Sequence, residues 1–505
     1  MSFQLTAIIT LGLFYALFLV VGVVVSRTGR ARGIDELLLA SRQLPLAVGA
    51  CTMVATWVGG GYLNGTAEAV YDSGRGLVWA QAPWGYALSL VLGGLFFAGR
   101  MRRLGFRTLL DLFERRYGKR VAAGLFVPAL MGEVFWSAAI LAALGTTLGT
   151  ILGFDFRLSI LVSAGVAIGY TLVGGLKSVA YTDLLQLFLI LFGLGIAIPA
   201  AVGHVGGIED VMGQYVAQYG SAASLVPPAD SWSLNGGWGW LWGDWALLLI
   251  FGGIPWQVYF QRVLACKDER SAVRLSIIAG AGCLLLAIPA GILGAVGGVV
   301  DWSAAGVQPP AHPALILPWV LRYLTPSLIA ILGLSAIAAA VMSSVDSSIL
   351  SAASMFTWNV VRPFRKRENK RLLQNVLRFS VVCVGALASV LALHVGSVYT
   401  LWALCGDVVY VLLFPQLVLA LFDRKANSTG AIAGVCVGLF LRAGGGESSL
   451  GIPALLPYPM NDPELGLLFP FRTCAMLATL LTIWLVSRLT AEKDPPQPIE
   501  LVEEN

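Results

Sequence analysis

The chain has 505 residues, of which 57% are hydrophobic and only 12% are charged, whereas soluble domains carry about 25% charged residues. This composition excludes a soluble globular protein and indicates a protein that crosses a membrane many times. The net charge of +5 does not point to nucleic acid, because the basic residues lie in short loops between apolar segments. The seven cysteines show no spacing typical of a metal site or of a disulfide framework.

Apolar segments of membrane-spanning length follow one another along nearly the whole chain. A helix needs about 20 apolar residues to cross the hydrocarbon core of a bilayer, and thirteen transmembrane helices are predicted on that basis. The first segment lacks a basic leader and a small-residue cleavage site, so it is expected to be a retained span rather than a signal peptide. The predicted spans are residues 5–25, 46–67, 77–98, 121–148, 158–173, 181–202, 240–260, 275–299, 328–356, 376–393, 399–421, 430–441 and 473–489.

Basic residues are concentrated in alternate loops between these spans. The segments 27–42, 100–120, 262–274 and 362–371 are rich in Lys and Arg, and the loops between them carry almost none. By the positive-inside rule the basic loops lie in the cytoplasm. With thirteen spans the N-terminus is then extracellular, and the tail at 491–505 is cytoplasmic and expected to be disordered.

Glycines interrupt two of the spans. The second span contains the run TWVGGGY at residues 56–62, and the seventh contains GGIPW at residues 252–256. Each interior glycine costs a helix about 1 kcal/mol relative to alanine, and bare backbone at membrane depth is tolerated where it lines a cavity or is buried in protein. Close packing of helices through small residues is the alternative explanation. Two broken helices in corresponding positions are typical of an inverted-repeat secondary transporter with its binding site at the breaks.

The spacing of the two breaks predicts an all-α polytopic membrane protein built as a five-plus-five inverted repeat. Each broken span begins a set of five helices, one extra helix precedes the first set, and two extra helices follow the second. The predicted divisions are the N-terminal helix and loop at 1–45, the first repeat at 46–203, an extracellular loop at 204–236, the second repeat at 237–421, two C-terminal helices at 422–490 and the tail at 491–505.

Aromatic side chains are gathered at the breaks and in the middle of neighbouring spans. Trp57 and Trp256 lie at the breaks, and Tyr86, Trp136 and Trp402 lie within the third, fourth and eleventh spans. Tryptophans usually mark membrane interfaces, but that explanation fits residues near the middle of a span poorly. Indole faces attract a quaternary ammonium ion, which offers no hydrogen bond, by about 0.5–2 kcal/mol per ring. A sugar would instead need several amides and carboxylates at this depth, and these are scarce.

Oxygen-bearing side chains are dense in the ninth span, in the run SSVDSS at residues 343–348. Serine hydroxyls and carbonyls freed by a helix break are ligands for sodium, although serines also hydrogen-bond their own helix. Asp346 is a charged residue within a span and is functional by default. Asp183, at the start of the sixth span, is a second ion ligand, a gate residue or an acid favoured by the helix dipole. Four further acids in or near spans cannot be ranked from the sequence: Glu68, Glu133, Asp244 and Asp407.

These segments resemble the sodium–solute symporter family over nearly the whole chain, up to about residue 488. The resemblance implies the leucine-transporter-type fold with extra peripheral helices. It also implies sodium-coupled, chloride-dependent uptake of choline at a plasma membrane, including presynaptic terminals and synaptic vesicle membranes, with the choline used for acetylcholine synthesis. The matching runs are long and therefore highly specific, and they lie at residues 56–62 with 64–70, 80–83, 128–133, 172–176 with 181–183, 252–257 with 259–264, and 339–356.

The resemblance also implies roles for single residues. Asp346 is expected to be a charge partner of sodium or substrate, and Asp183 matches an acid that lies near another sodium site in some relatives. The chloride ligands are not assigned. The residues that match a choline cage are Trp57, Tyr86, Trp136, Trp256 and, as a further wall, Trp402. The groups that match a sodium site are the backbone carbonyls of Val54, Trp57 and Ala340 and the hydroxyls of Ser343 and Ser344.

Two other functions fit the same sequence. The protein is then either a sodium symporter for another quaternary amine or small solute, such as betaine, or a sensor or leak pathway that binds choline without accumulating it. A betaine carboxylate would need a cationic or amide partner, and none is predicted near the aromatic residues. No nucleophile, metal or cofactor motif indicates an enzyme, and the expected partners are choline, sodium, chloride and the lipid bilayer.

Overall fold

The protein is helical almost throughout, and a computed structural model describes residues 3–27, 33–365, 369–394, 398–447, 452–462 and 465–499, with the backbone alone at 150–152, 398–400 and 402–403. In chain order the α-helices are α1 (Phe3–Arg27), α2 (Ile34–Leu39), α3 (Leu46–Trp57), α4 (Gly60–Tyr71), α5 (Ala82–Leu92), α6 (Gly99–Arg103), α7 (Leu110–Leu152), α8 (Phe156–Gly195), α9 (Ala197–Gly203), α10 (Ile208–Tyr219), α11 (Gly239–Gly252), α12 (Gln257–Leu264), α13 (Glu269–Val299), α14 (Ile316–Tyr323), α15 (Ser327–Met355), α16 (Lys370–His394), α17 (Val398–Val408), α18 (Phe414–Phe422), α19 (Ser428–Gly444) and α20 (Phe471–Leu489). Two short strands, β1 (Asn461–Asp462) and β2 (Gly466–Leu467), pair antiparallel.

Short 3₁₀ and π segments join or extend several of these helices. The 3₁₀ turns are Ala40–Arg42, Leu77–Trp79, Gly220–Ala223, Ala229–Trp232, Pro313–Leu315 and Arg362–Phe364. The π segments are Gly93–Ala98, Phe356–Val361 and Val409–Leu413.

The described residues contain ten helices that are long and apolar enough to cross a membrane, or eleven if the bent pair α3 and α4 forms one span. The prediction of a polytopic helical membrane protein is therefore confirmed. The number of thirteen spans stays a prediction. Two of the predicted spans fall in the single helical stretch Phe156–Gly203 of 48 residues, which at 1.5 Å per residue would be about 70 Å long if straight. It is not straight, because Gly175 interrupts it with a φ of 54°.

The glycine run at residues 56–62 separates α3 from α4, which meet at an angle of 53°. Gly59 is extended there, with φ −81° and ψ 179°, and its Cα lies against α15. A Cβ atom on Gly59 would lie 2.1 Å from Ser344 Oγ, and one on Gly60 would lie 2.4 Å from Val341 Cγ2. Glycine is needed here because any side chain would occupy space already filled by α15.

The second break separates α11 from α12. Residues 253–256 lie between the two helices, and Trp256 is extended with φ −101° and ψ 137° immediately before α12 begins. The first break lies against the middle of α15, and α12, which follows the second break, donates to α15 through Arg262. The residues of α15 from Ser335 to Met355 are all buried. A helix that is buried on every side occupies the core of the bundle, and α15 thereby brings its serines to the broken segments.

The tail after α20 packs onto the ends of other helices as far as Ile499. The Asp494 carboxylate accepts hydrogen bonds from Ser428 Oγ at 2.7 Å and from the Thr429 N–H at 2.7 Å, at the start of α19. Arg116 of α7 donates to the Gln497 carbonyl at 2.7 Å. The expected disorder of the tail therefore does not describe residues 491–499, which have defined partners.

Candidate functional site

Three tryptophan rings meet at the two breaks. Trp57 is the last residue of α3, Trp136 lies on α7, and Trp256 directly precedes α12. The Trp57 and Trp136 ring centroids are 6.4 Å apart and those of Trp136 and Trp256 are 5.4 Å apart, with the rings tilted by 65° and 73°. Trp256 Nε1 donates to the Gly252 carbonyl at 2.7 Å, which fixes the indole against the broken end of α11.

Two tyrosines extend the aromatic wall on the other side of the first break. Tyr62 of α4 and Tyr86 of α5 stack with centroids 6.3 Å apart and an interplanar angle of 19°. The Tyr62 hydroxyl donates to the Cys283 carbonyl at 2.7 Å, so its ring is held in place. The remaining residue predicted for the cage, Trp402, has a side chain outside the part of the chain that the structure describes.

These aromatic residues line one cavity. No charged side chain is among the described residues that line it, so a cation there would be held by ring faces and not by a carboxylate. Rings are effective when a cation lies within about 6 Å of their centroids. The lining residues are Trp57, Gly59, Gly61, Tyr62, Tyr86, Trp136, Ile140, Leu248, Leu249, Gly252, Gly253, Trp256, Val258, Cys405 and Gly406.

The sequence indicates the aromatic members of this lining but not the aliphatic ones. Ile140, Leu248 and Leu249 are apolar residues within apolar spans, and nothing in their residue type distinguishes them from lipid-facing neighbours. The residue types of Cys405 and Gly406, on α17, do not indicate a place in the cavity wall either. Their role becomes visible only once the helices are packed together.

The serine hydroxyls of α15 meet backbone oxygens at the end of α3. Ser343 Oγ lies 2.8 Å from the Ala55 carbonyl and 3.0 Å from the Ala340 carbonyl. Ser344 Oγ lies 2.8 Å from the Thr56 carbonyl and 3.2 Å from the Ala340 carbonyl. This cluster offers oxygen atoms alone, the ligand set that a hard cation such as sodium takes.

The predicted sodium ligands are brought together in part. Ala340, Ser343 and Ser344 share the cluster, but the α3 carbonyls that touch the two hydroxyls belong to Ala55 and Thr56. The Val54 carbonyl instead accepts the N–H of Val58 at 2.8 Å, which closes the last turn of α3. The Trp57 carbonyl has no hydrogen bond to either serine among the described contacts, while its ring lines the cavity.

The two aspartates singled out in the sequence lie in a separate buried network. The Asp183 Oδ2 atom is 3.6 Å from Arg262 Nη2, and both side chains have no exposed surface. Asp183 also accepts a hydrogen bond from Thr52 of α3, and Asp346 accepts one from Tyr170 of α8. The second carboxylate oxygen of each aspartate has no hydrogen-bond partner in the part of the protein that the structure describes.

Arg262 connects this network to α15. Its Nη2 atom donates to Ser347 Oγ at 2.5 Å and to Thr52 Oγ1 at 3.3 Å. Glu133 lies close by on α7, where Ser348 Oγ donates to its Oε2 atom at 2.7 Å. Three buried acids thus lie close enough to interact electrostatically with one buried guanidinium. The network is built from α3, α7, α8, α12 and α15.

Comparison with known proteins places the chain in a family. The model of the sodium:solute symporter family matches residues 37–438. The chain belongs to the sodium:solute symporter family. The symporter is 47% identical over 496 residues to the high-affinity choline transporter 1 of Drosophila melanogaster, a match that covers 96% of this chain and 78% of the relative. It is 46% identical over 506 residues to the high affinity choline transporter 1 of Homo sapiens, covering 97% of this chain and 86% of the relative.

Solved structures share the fold of the symporter. A Na⁺-coupled sialic acid symporter in a substrate-bound outward-open state superposes with a TM-score of 0.79 at 19% identity, over 97% of this chain and 98% of that one. Mhp1, a nucleobase-cation-symport-1 family transporter in a closed conformation, gives a TM-score of 0.59 at 13% identity, over 91% and 95%. At these identities the likeness establishes the fold of secondary transporters and does not identify a substrate.

Proposed function

We propose that this symporter couples the downhill entry of sodium to the uptake of choline by alternating access. The observation that carries the proposal is the cage of Trp57, Trp136 and Trp256 at the two helix breaks, in a cavity whose described lining has no charged side chain. A quaternary ammonium ion suits such a cavity because it carries charge but donates no hydrogen bond. The names of the relatives in fly and human support the same substrate.

The chemistry of the cavity favours choline over other solutes of similar size. Betaine carries a carboxylate, and no Arg, Lys or side-chain amide is among the described residues of the lining. A sugar would leave most of its hydroxyls without partners, and each buried polar group left unpaired costs about 1–3 kcal/mol. The single hydroxyl of choline makes the smallest such demand.

Sodium and choline are coupled in this proposal through the end of α3. The sodium ligands would be the hydroxyls of Ser343 and Ser344 and the Ala340 carbonyl, completed by carbonyls of α3, for which the family pattern favours Val54 and Trp57. Sodium would hold the end of α3 against α15. Because Trp57 terminates α3 and lines the cavity, the ion would set the position of one wall of the cage. Binding of sodium then stabilises the conformation that binds choline, and rocking of the two repeats exposes both to the other side.

The architecture that goes with this mechanism is the five-plus-five inverted repeat with thirteen spans. That number follows if the bent pair α3 and α4 is one span, if the stretch Phe156–Gly203 holds two spans that part at Gly175, and if α19 crosses as a short helix. The repeats would occupy residues 46–203 and 237–421. We also propose that the protein lies in the plasma membrane, with an extracellular N-terminus and a cytoplasmic C-terminus. As the family resemblance implies, we further propose that uptake depends on chloride and supplies choline for acetylcholine synthesis.

The direct test is uptake of radiolabelled choline into proteoliposomes that contain the purified protein. With sodium outside and potassium inside, choline is expected to accumulate above the external concentration, and replacement of external sodium by potassium should abolish accumulation. Equilibration without accumulation would instead identify a leak pathway or sensor. Accumulation of betaine in preference to choline would reassign the substrate. Gluconate in place of chloride, tested in parallel, decides chloride dependence.

Neutralising Asp346 is expected to weaken the dependence on sodium. The Asp346→Asn variant keeps an oxygen that accepts from Tyr170 but removes one negative charge from a fully buried site on the sodium-ligand helix. At an effective dielectric constant near 20, loss of a nearby unit charge removes about 1–2 kcal/mol of attraction for a cation. The sodium concentration for half-maximal uptake should therefore rise on the order of tenfold.

The control for this titration is Asp210→Asn, which removes a charge from an exposed position on α10. This variant should leave the sodium concentration for half-maximal uptake unchanged. A sodium titration of Asp346→Asn that matches the wild type would remove Asp346 from the ion pathway.

A further inference from the structure

A second buried ionic cluster lies behind the cavity, away from the sodium-ligand helix. Its members, which we call the arginine–aspartate cluster, are Asp244 of α11, Asp407 of α17, Arg442 of α19 and Arg472 of α20. Asp407 is bridged by both arginines, with Arg442 Nη2 at 2.5 Å from Oδ2 and Arg472 Nε at 2.7 Å from Oδ1. Arg472 Nη1 also lies 3.4 Å from Asp244 Oδ2. Both aspartate side chains have no exposed surface, and both arginine side chains are 11% exposed.

Neighbouring groups hold the cluster in place. The N–H and hydroxyl of Thr473 donate to Asp244 Oδ1 at 2.8 and 2.6 Å. Glu447 accepts from Arg442 at 2.8 Å, and the Arg472 guanidinium lies 4.6 Å from the ring centroid of Trp245. A buried cluster with this many partners has a fixed geometry, so the helices that carry it are fixed relative to one another.

The acids and the bases of the cluster belong to different parts of the molecule. Asp407 directly follows Gly406, which lines the cavity with Cys405, and Asp244 precedes the cavity residue Leu248 by one helical turn. Both aspartates therefore lie on helices that form the cavity wall. The arginines lie on α19 and α20, and neither helix contributes a described residue to the cavity.

We propose that Arg442 and Arg472 are positioning residues for the choline site, holding the α11 and α17 walls of the cage through Asp244 and Asp407. This inference rests on the function proposed above and extends it to the two C-terminal helices. Removal of Arg442 leaves Asp244 and Asp407 sharing the single positive charge of Arg472, so one buried negative charge beside the cavity is no longer compensated. The excess charge draws water or a cation towards Asp407, and the neighbouring Gly406 backbone moves with it, so the wall no longer fits the substrate.

The experiment measures choline uptake against choline concentration for the Arg442→Gln variant, with each value divided by the amount of protein at the cell surface. The KM for choline is expected to rise about tenfold, and the maximal rate per surface transporter is expected to fall less. Arg442→Lys, which keeps the charge but removes the guanidinium that donates to both Asp407 and Glu447, should give an intermediate KM. If Arg442→Gln does not reach the cell surface, the KM of Arg442→Lys is the test.

A double variant separates the uncompensated charge from lost packing. Arg442→Gln combined with Asp407→Asn removes both charges, and its KM should return most of the way to that of the wild type. The matched control is Arg488→Gln, which breaks the pair with Asp423 at the opposite end of α20, where the arginine side chain is 31% exposed. It should leave the KM unchanged.

The outcomes separate this inference from the proposed function. Wild-type protein that does not accumulate choline overturns the proposed function. Wild-type uptake with a KM that is unchanged in Arg442→Gln and Arg442→Lys, whatever happens to surface amount, overturns the positioning role. A double variant with a KM as high as that of Arg442→Gln keeps the positioning role and assigns the rise in KM to the lost contact between α19 and α17, not to the uncompensated charge.

Discussion

Trp256→Ala is expected to reduce choline uptake to background while leaving most of the protein at the cell surface. The indole lies 5.4 Å from the Trp136 ring and is fixed by its bond to the Gly252 carbonyl. No charged group in the described lining can take over the attraction. A desolvated cation–π contact contributes about 2 kcal/mol, which corresponds to a loss of roughly 30-fold in affinity for one ring. The removed ring also opens the cavity to water, which weakens the remaining contacts. The measurement is the initial rate of labelled choline uptake divided by surface protein.

Two further variants make this result specific. Trp256→Phe keeps a ring face at the same place and should retain part of the uptake, because phenylalanine attracts cations less than tryptophan does. Trp484→Ala removes an indole of the same size from α20, where the side chain is 40% exposed and lies outside the cavity lining. It should transport normally. Near-normal uptake by Trp256→Ala would take this residue out of the cage.

Gly59→Ala is expected to abolish most sodium-dependent uptake by the addition of one methyl group. The new Cβ atom would lie 2.1 Å from Ser344 Oγ and 3.0 Å from Ser344 Cβ, so the hydroxyl or the end of α3 has to move. Either movement separates Ser344 from the Thr56 carbonyl, now 2.8 Å away. Overpacking of a tight contact costs about 1–3 kcal/mol, and here the displaced atoms are the proposed ion ligands. Sodium titrations of uptake should show a strongly raised half-maximal concentration.

The helix that follows the break supplies the control for this variant. Gly65 lies on α4, is exposed, and a Cβ atom added to it meets nothing within 4 Å. Gly65→Ala should leave uptake and sodium dependence as they are, since alanine is the better helix former by about 1 kcal/mol. If Gly59→Ala reaches the surface with a normal sodium titration, the ion lies somewhere other than beside Ser344.

The helix breaks could be predicted because glycine, proline and tryptophan in the middle of an apolar span have few structural explanations. The run at residues 56–62 indicates both the break and its aromatic neighbours, and the structure has α3 end at Trp57 as that pattern suggests. Leu248 and Leu249 could not be predicted in the same way. Their only distinguishing property is the direction in which they point, and that depends on how α11 packs against α5 and α17.

Backbone ligands and ion pairs between residues far apart in the chain could not be predicted from the sequence either. Every residue has a backbone carbonyl, so the residue types of α3 do not show which of its carbonyls lie next to Ser343 and Ser344. The resemblance favours Val54 and Trp57, whereas the structure has Ala55 and Thr56 at hydrogen-bonding distance. Asp244 lies 228 positions before Arg472 in the chain, and no local pattern pairs residues that far apart. For the same reason the sequence could not rank Asp244 and Asp407 among the other acids.

The anchored tail has a practical consequence for anyone who shortens the protein for crystallisation or attaches a fluorescent reporter. Asp494 caps the start of α19, and the Gln497 carbonyl meets Arg116. Trimming the polypeptide directly after α20 would strip both helices of these acceptors. A cut or a linker placed after Ile499 keeps them, and it is the safer boundary for engineering.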